Sequence, residues 1–404
     1  MTPSPKVLYV VYWGAGEPLG QSLVVPAVKT LAALGAKITL ITFEKPHDLN
    51  QPGYISDIKQ SLSDNGIEWL PQRYHKQPKI PATVRDIAAG VVQSLASRTK
   101  RGFDIVHART FVGGLIGMVV APLIGARYVY HNEGFYPDEQ VDGGVWKSGS
   151  YPHRLARRLE ERMYSRADGI IAMSFRGKRE IERREKVISK MTPVIVVPSC
   201  VDLELFHRNG SSLSEAALTT QTLRLVYSGS VGGRYILDRV GEFVSEAAKE
   251  FGGVHLDVLT RADKALVETM LSQGGLDRNL WSVTAMPYKQ MPERISRSQA
   301  GLFFLAQGIS EHGCSPTKIG EYWAMGLPVI TTPNVSDTDD IIRRLKVGVI
   351  VEDHSVKSYR KAAYELRGLL DDAELATRCR RAAEEHYALL PACERQMAMY
   401  DSIL

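Results

Sequence analysis

Short runs rich in β-branched residues alternate with helical segments along this chain, and this alternation is the strongest constraint on its fold. KVLYVVYW at 6–13 is followed by a helical segment near 20–34 and then by ITLIT at 38–42. Strand–helix–strand alternation is typical of parallel sheets covered by helices on both faces. The first half therefore predicts one doubly wound α/β domain. Its further strand candidates lie at 104–107, 127–130, 169–173 and 194–197.

A second series of the same kind begins with RLVYSGS at 224–230. It indicates a second Rossmann-like domain, and PSCVDLELFHRNGSSLS at 198–214, which mixes turn formers with few periodic apolar residues, is the predicted linker. The fold class is thus α/β, with two Rossmann-like doubly wound domains facing a central cleft. The later strand candidates are 255–260, 300–305, 328–331 and 348–352.

Composition narrows the class of protein only modestly. The 404 residues suffice for two or three domains, and the net charge of +5 suits a user of nucleotide sugars or lipid headgroups as well as a nucleic-acid binder. The four cysteines form no CxxC pair and no zinc-ligand spacing, which favours a reducing, cytoplasmic location. No apolar run approaches the roughly 20 residues that a membrane-spanning helix needs.

The segment SPTKIGEYWAMGLPVI at 315–330 predicts a helix that holds a phosphate at its start and a polyol one turn later. Ser315 is expected to be the N-cap and Pro316 the first helical residue, so that amides around Thr317 and Lys318 face an anion. Glu321 lies about one turn beyond Lys318, where its carboxylate accepts hydrogen bonds from ribose hydroxyls. An ordinary capped amphipathic helix is the alternative.

This segment resembles the donor-nucleotide helix of family 4 glycosyltransferases of the two-domain GT-B type. A subgroup of that family reads Ser-Pro-x-Lys-x-x-Glu-Tyr followed by Ala-x-Gly-x-Pro-Val-Ile. VIVVPSCVDLELF at 194–206 is similar to the family's interdomain segment, with Ser199 and Cys200 in place of Asn-Gly. The resemblance implies an acceptor-binding domain at 1–198, a nucleotide-sugar-binding domain at 199–385, and a C-terminal helix at 386–404 that crosses back to the first domain.

The family also carries a histidine at the catalytic centre after a strand equivalent to RYVY, and His131 stands there in YHNEGFYPDEQVDGGVW at 130–146. Glu133 belongs to the same predicted catalytic group, although the sequence around it departs from the subgroup's usual pattern. Asp138 is an acceptor-side candidate, as it and the following carboxylates can orient acceptor hydroxyls or can simply cap turns and helices.

Other acceptor-side candidates follow from the resemblance at two earlier points in the chain. His107 and Arg109 follow the strand DIV in a segment that lines the acceptor side in the family, although a buried structural histidine is the alternative. Gly16 and Gly20 belong to the loop GAGEPLG at 14–20, which lets an acceptor or sugar phosphate approach the backbone.

The second domain supplies the remaining donor candidates. SGSVGGRY at 228–235 is expected to surround a diphosphate with amides, and Arg234 to neutralise its charge in the transition state. Ser230 replaces the family's first arginine in this loop, and Arg261 is a second candidate cation. Gly313 occupies the position of the family's first glutamate, with Glu311 two residues away, and Met286 lies in the region that usually borders the base.

The resemblance implies a retaining, metal-independent hexosyltransferase that uses a UDP- or GDP-sugar as co-substrate, with no tightly bound cofactor. Its expected acceptor is a glycan, a lipid-linked sugar or a small metabolite rather than a nucleic acid. Three other functions remain open, and one of them is a non-catalytic protein that binds a nucleotide sugar. The first loop with Glu44 has the ingredients of an NAD(P) oxidoreductase, and an epimerase of GT-B type would use Glu133 with Asp138 as acid and base.

Two further segments are predicted to lie at the surface of the protein. PHRLARRLEERMYSR at 152–166 places Leu155, Leu159 and Met163 on one stripe, which fits a helix resting on an anionic membrane and also a core-packed helix with a solvated basic face. Peripheral membrane contact thus stays open. WLPQRYHKQPKIPATVRD at 69–86 is polar and interrupted by proline, and it is expected to be a loop.

Overall fold

The computed structural model describes residues 4–208 and 222–404, with the side chains of 98–101 excepted. The predicted linker therefore lies outside the described residues from 209 to 214. The chain divides into two compact units. The first unit consists of Met1–Pro137, Lys147–Cys200 and Leu389–Leu404, and the second of Asp138–Trp146 and Val201–Ala388.

The first unit is built on a seven-stranded parallel sheet of order β3-β2-β1-β4-β5-β6-β7. Its strands are β1 Lys6–Val11, β2 Lys37–Glu44, β3 Glu68–Arg73, β4 Ile105–Arg109, β5 Arg127–His131, β6 Gly169–Ala172 and β7 Val194–Val196. Helices connect them: α1 Val25–Ala33, preceded by a π-helical turn Gly20–Val24, α2 Pro46–Leu49, α3 Tyr54–Ser63, α4 Lys79–Arg101, α5 Phe111–Ile124, α6 Tyr136–Asp142, α7 Tyr151–Arg166, α8 Phe175–Glu182 and α9 Glu185–Lys190.

The second unit has a six-stranded parallel sheet of order β10-β9-β8-β11-β12-β13. Its strands are β8 Leu223–Ser228, β9 Val254–Leu259, β10 Trp281–Thr284, β11 Ala300–Phe303, β12 Val329–Thr331 and β13 Gly348–Ile350. The helices that follow in chain order are α10 Leu237–Phe251, α11 Lys264–Gln273, α12 Met291–Ile295, α13 Ser310–Gly313, α14 Thr317–Ala324, α15 Thr338–Leu345, α16 Val356–Leu370, α17 Leu375–Tyr387 and α18 Leu389–Ile403, of which α18 belongs to the first unit.

Burial on both sheet faces explains why the strands read as continuous apolar runs. In β1, Val7, Tyr9 and Val11 pack into one core of the first unit, while Leu8 and Val10 pack into the core on the opposite face. Doubly covered parallel strands have this composition because neither face meets water. The predicted α/β fold of two doubly wound domains is confirmed. Such sheets place ligands outside the carboxyl ends of their strands.

The structure corrects the prediction of a loop at 69–86. Residues 68–73 form β3, which pairs with β2, and α4 begins at Lys79. β3 is an edge strand and only partly buried, so it tolerates Pro71 and lacks the apolar run that marks the central strands. The prolines that suggested a loop at 78 and 81 lie at the start of α4, where the first amides have no helical partner in any case.

Two helix predictions also need correction. The single helix expected at 386–404 is two helices, because the chain turns at Ala388 in an extended conformation. In α7 the buried face contains Ala156, Glu160, Met163 and Tyr164, while Leu155 is 43% exposed. The predicted stripe of Leu155, Leu159 and Met163 therefore contributes Met163 alone to the fully buried face.

Candidate functional site

In the second unit, Lys318 and Glu321 lie on one face of α14 and are both buried, at 3% and 5% exposure. The helix begins at Thr317, and Pro316 occupies the N-cap position with no side-chain cap bond. The expected N-cap, Ser315, is thus one residue too early. The predicted spacing of Lys318 and Glu321 within one turn holds.

The amine of Lys318 has no hydrogen-bond partner among the described residues. Aromatic ring faces surround it instead: Nζ lies 3.9 Å from the centre of the Tyr235 ring, 4.5 Å from that of Tyr227 and 5.1 Å from that of Phe303. Burial lowers the pKa of Lys318 to about 7, although the charge of Glu321 opposes this shift. Ring faces attract a cation but leave its N–H donors unused, so this amine remains able to bind an anion.

Burial also raises the pKa of Glu321 to about 7, against the opposing effects of Lys318 and the Tyr288 hydroxyl. Tyr288 is half-buried in the turn that follows Met286, and both side chains pack on the core of the unit. The region expected to border the base thus lies beside the carboxylate expected to hold the ribose.

The glycine-rich loop after β8 lies beside the Lys318 amine. Gly229, Gly232 and Gly233 have φ values of +105°, +83° and +62°, a backbone region that favours glycine. A Cβ at Gly229 would lie 3.4 Å from Nζ of Lys318. The structure therefore brings together the loop and the lysine that the sequence predicted for one diphosphate site. Ser230, in the same loop, is exposed and its carbonyl accepts a hydrogen bond from Tyr227.

Arg234 is held by two groups. Its Nη2 lies 3.2 Å from Oε1 of Glu139, and its Nη1 donates a 3.1 Å hydrogen bond to the Ser310 hydroxyl. Burial disfavours the charged guanidinium, but Glu139 and other acidic neighbours hold the pKa of Arg234 above its ordinary value. Arg234 is therefore a permanent cation, paired with a carboxylate that the sequence had suggested for an acceptor.

Two more carboxylates lie near Ser310. Asp142 accepts a 3.2 Å hydrogen bond from the Ser310 amide, and Glu311 accepts one from the Gly308 amide. Burial raises the pKa of Glu311 to about 7, and the charge of Asp142 adds to that shift. The Cys314 amide donates a 3.4 Å hydrogen bond to the Glu311 carbonyl oxygen.

The structure also gives the positions and burial of the remaining candidates in the second unit. Arg261 follows β9, is exposed, and forms no ion pair with the described residues. Gly313 is buried at the end of α13, and Thr317 is half-buried at the start of α14. Asp138 is buried and belongs to this unit.

In the first unit, neighbouring strands bring the predicted polar residues together. Arg109 at the end of β4 pairs in register with His131 at the end of β5, and His107 lies two residues earlier on β4. Nε2 of His107 is 3.1 Å from Nδ1 of His131. Arg109 forms an ion pair with Glu133, whose Oε1 also lies 3.8 Å from Nε2 of His131.

These groups have well-defined charges. Burial lowers the pKa of His107 and of His131 well below the ordinary value, and the positive charge of Arg109 adds to both shifts. Burial opposes the charge of Arg109, but Glu133 and Tyr9 together outweigh this effect and raise the pKa of Arg109. Two neutral imidazoles therefore lie beside an arginine–carboxylate pair, and Nε2 of His131 has no hydrogen-bond partner among the described residues.

Hydrogen bonds to other residues of the first unit hold the loop at 14–20 in place. Glu44 is fully buried and accepts hydrogen bonds from the Ala15 amide and from the hydroxyls of Thr42 and Tyr54. The Gly16 amide in turn donates a 3.0 Å hydrogen bond to the Tyr54 hydroxyl. The acidic residue that an NAD(P) fingerprint would offer to ribose hydroxyls is thus used by the loop itself.

Close packing explains the two glycines proposed for the acceptor side. A Cβ at Gly16 would lie 2.2 Å from the Tyr54 ring, and one at Gly20 would lie 2.0 Å from the Gly14 carbonyl oxygen. Both glycines are therefore required by contacts inside the first unit, whatever ligand approaches the loop.

Comparison with known proteins gives one partial family match and several structures of similar fold. Residues 23–205 match the model of Glycosyltransferase Family 4. The fold is similar to that of sucrose-phosphate synthase from Thermosynechococcus elongatus, at 14% identity, TM-score 0.70 and 99% coverage of both chains. The fold of the chain is of the GT-B type. Its segment 23–205, which is less than half of the chain, is the part that matches the family 4 model.

Two other solved structures have a similar fold. Anabaena HepE, solved with UDP-glucose, matches at 12% identity and TM-score 0.68, covering 98% of this chain and 100% of its own. The E. coli structure described as trehalose-6-phosphate bound with UDP-2-fluoro glucose matches at 10% identity and TM-score 0.71, with 99% of both chains covered. A comparison with curated proteins gave no match.

The part of the chain that the structure describes contains neither a metal-binding cluster nor a helix that could span a membrane. At 4–208 and 222–404, no group of three or more His, Cys, Asp or Glu side chains is arranged to hold a metal ion. Over the same residues, no helix combines the length and the apolar character that crossing a membrane requires.

Two features of the candidate site could not be predicted from the sequence. Sequence reasoning did not identify the aromatic rings around Lys318, because Tyr227, Tyr235 and Phe303 are indistinguishable in sequence from core residues. It also missed Tyr400, which lies 2.5 Å from Nδ1 of His107 although the two residues are 293 positions apart. No local signal identifies such a long-range pair.

Proposed function

We propose that this protein is a glycosyltransferase that moves a hexosyl group from a nucleoside diphosphate sugar to an acceptor hydroxyl, with retention of configuration at the anomeric carbon. The acceptor is a hydroxyl of a glycan, a lipid-linked sugar or a small metabolite. UDP-sugars are the first donors to test, because two of the similar structures carry UDP-glucose or its fluoro analogue. GDP-sugars are the second.

The observation that carries the proposal is the buried amine of Lys318. It has no hydrogen-bond partner among the described residues, and it lies beside a loop of positive-φ glycines. Burying an amine without a hydrogen-bond partner is costly, and ring faces recover only part of the cost. An anionic diphosphate supplies the missing acceptors and the opposite charge.

Roles for the other residues follow from their chemistry. Glu321, one turn beyond Lys318, holds the ribose hydroxyls, and Arg234 neutralises the diphosphate. The bond between the anomeric carbon and the diphosphate oxygen breaks, and the nucleoside diphosphate leaves with the electron pair. The acceptor oxygen then bonds to the same face of the sugar, and its proton passes to the leaving diphosphate. His131 contacts the reacting sugar or the acceptor.

A thermal-shift titration tests the donor site. Uridine, guanosine, adenosine and cytidine diphosphates are compared with NADH and NADPH, because a ligand that binds the native state raises the melting temperature. We expect one nucleoside diphosphate to stabilise the protein selectively, and Glu321→Ala to abolish that shift. Glu268→Gln, at an exposed position of α11, is the matched control and should keep the shift.

Stabilisation by a nicotinamide cofactor alone would contradict the proposal in favour of an oxidoreductase. Product analysis separates the transferase from an epimerase, which would return a nucleotide sugar of altered configuration in the absence of an acceptor. The anomeric configuration of the product, read by NMR, tests retention. An unchanged rate in EDTA is the result expected of metal-independent transfer.

Kinetics of two variants test the division of roles. Glu321→Ala should mainly raise KM for the donor and the nucleotide Kd, whereas His131→Ala should lower kcat with donor affinity largely retained. Equal loss of nucleotide affinity in both variants would contradict the assignment. The location is part of the same proposal: four buried, free cysteines support the cytoplasm, and cell fractionation with antibody detection tests it.

A further inference from the structure

Three buried side chains of the first unit form a hydrogen-bonded row. The Tyr400 hydroxyl on α18 lies 2.5 Å from Nδ1 of His107, and Nε2 of His107 lies 3.1 Å from Nδ1 of His131. The exposed fractions of Tyr400, His107 and His131 are 0%, 0% and 1%. The row ends at Nε2 of His131, the atom nearest to Glu133. It therefore links the C-terminal helix to the predicted catalytic histidine.

Close packing holds the row in place. The Tyr9 ring stacks on His107 with a centroid distance of 4.2 Å and an angle of 20° between the planes. Next to Tyr400 in sequence, Met399 packs so closely on β6 that a Cβ at Gly169 would lie 2.9 Å from its sulfur. Tyr400 thus has little freedom to move away from His107.

Both histidines are neutral, since burial and the charge of Arg109 lower the pKa of each well below the ordinary value. A neutral imidazole has one N–H donor and one acceptor nitrogen. The two hydrogen bonds of the row therefore have only two consistent directions. In each, the proton of one histidine fixes the proton position of the other.

In the first direction, Tyr400 donates to Nδ1 of His107, and Nε2–H of His107 donates to Nδ1 of His131. The proton of His131 then lies on Nε2 and faces the Glu133 carboxylate at 3.8 Å. In the second direction, the lone pair of Nε2 faces that carboxylate. The phenolic proton of Tyr400 is then also left without an acceptor, because His107 is its hydrogen-bond partner among the described residues.

The first direction gives acceptors to the Tyr400 hydroxyl and to Nε2–H of His107, and it turns the proton of His131 Nε2, rather than its lone pair, towards the Glu133 carboxylate. We propose that Tyr400 is a positioning residue, which keeps the proton of His131 on Nε2 through His107 and makes His131 a hydrogen-bond donor to an oxygen of the substrate. This role rests on the proposed function of His131. The tautomer itself does not, and it can be measured without substrate.

Long-range proton–nitrogen NMR spectra of protein labelled with 15N-histidine show which ring nitrogen carries the proton. The His107→Ala and His131→Ala spectra assign the two rings. We expect wild-type His131 to be protonated on Nε2, and Tyr400→Phe to shift its proton wholly or partly to Nδ1. A wild-type His131 protonated on Nδ1 overturns the proposal, and this measurement needs no variant to be active.

Kinetics give the second readout. Tyr400→Phe should lower kcat about tenfold or more with KM for the donor unchanged, because the donor-binding residues are untouched. The control is Tyr128→Phe, which removes a buried 2.9 Å hydrogen bond from a tyrosine to the Gly114 carbonyl in the same unit. It should leave both the His131 tautomer and kcat unchanged.

The NMR and kinetic measurements distinguish the inference about the His131 tautomer from the proposed role of His131 in transfer. An unchanged proton position on His131 in Tyr400→Phe overturns the inference, whatever the activity. A shifted proton with wild-type kcat overturns the role of His131 in the proposed transfer, while the hydrogen-bonded row stands. Equal losses of kcat in Tyr400→Phe and Tyr128→Phe would mean that Tyr400 acts through stability alone.

Discussion

The Nζ atom of Lys318 lies 3.9 Å above the centre of the Tyr235 ring and has no hydrogen-bond partner among the described residues. A cation in this setting is stabilised by the ring quadrupole but has lost its water. The ligand-free protein therefore keeps Lys318 at a cost to its own stability, as is common for binding residues.

Lys318→Met should raise the melting temperature of the ligand-free protein by a few degrees, because it removes a desolvated amine and keeps the packing volume. The pKa of Lys318 is about 7 in the folded state and about 10.4 in the unfolded state. Between these values the unfolded chain binds more protons, so wild-type stability rises with pH. The gain should thus be larger at pH 6.5 than at pH 9, as measured by differential scanning fluorimetry.

The same variant should weaken binding of the preferred nucleoside diphosphate at least tenfold in calorimetric titration. Lys264→Met, at an exposed position of α11, is the matched control for both measurements. A Lys318→Met protein that is less stable than wild type at pH 6.5 would show that the aromatic contacts outweigh the desolvation of the amine.

Glu139→Gln should tighten nucleoside diphosphate binding about two- to tenfold, because the carboxylate competes with the diphosphate for Arg234 at 3.2 Å. Isothermal titration calorimetry measures the change in Kd. Glu293→Gln, which removes an exposed ion pair with Arg297 in the same unit, should leave Kd unchanged. Weaker binding in Glu139→Gln would indicate that the carboxylate positions Arg234 rather than competing for it.

Glu311→Gln should stabilise the protein more at pH 8 than at pH 5. Burial raises the pKa of Glu311 to about 7, above the value of about 4.3 in the unfolded chain. Between these values the folded protein binds more protons, so the contribution of Glu311 to stability falls as pH rises. Melting temperatures of both proteins across this range test the difference, and a constant difference would contradict the raised pKa.

Gly16→Ala should destabilise the first unit by about 1–3 kcal/mol, because the new Cβ would lie 2.2 Å from a Tyr54 ring whose hydroxyl is tied to Glu44. Urea unfolding followed by intrinsic fluorescence measures the loss. Wild-type stability in this variant would mean that the loop moves to accept the methyl group.

Gly368→Ala should have the opposite effect and stabilise the protein by about 0.5–1 kcal/mol. Gly368 lies inside α16, and nothing lies within 4 Å of a Cβ built there. Alanine restricts the unfolded chain and favours the helix without a clash. The urea midpoint should therefore rise, and a fall would point to a contact made in solution.

The central strands could be predicted from the sequence because their residues are buried on both faces and read as unbroken apolar runs. β3 could not, since an edge strand is half-solvated and contains Pro71. α4 was hidden in the same way, because prolines at 78 and 81 that precede or begin a helix look like those of a loop.

The candidate site likewise contains residues that the sequence predicts and contacts that it does not. Lys318 and Glu321 could be found because their spacing of three residues on one helix face is a local property. His107, Arg109 and His131 could be found as polar residues at the ends of apolar strands. The groups that pair with predicted site residues, such as Glu139 with Arg234 and Tyr400 with His107, come from distant parts of the chain.

The sequence by itself determined the two α/β domains and the residues that end their strands, because strand and helix periodicity and the parallel sheet rule act locally. Only the tertiary structure decided which charges are paired, which protons are shared and which glycines are sterically required. Glu44 shows the difference: its position alone suits a ribose ligand, but folding places it against Ala15, Thr42 and Tyr54, whose donors occupy it. Desolvation and hydrogen bonding depend on neighbours in space, and the sequence alone does not show which residues those neighbours are.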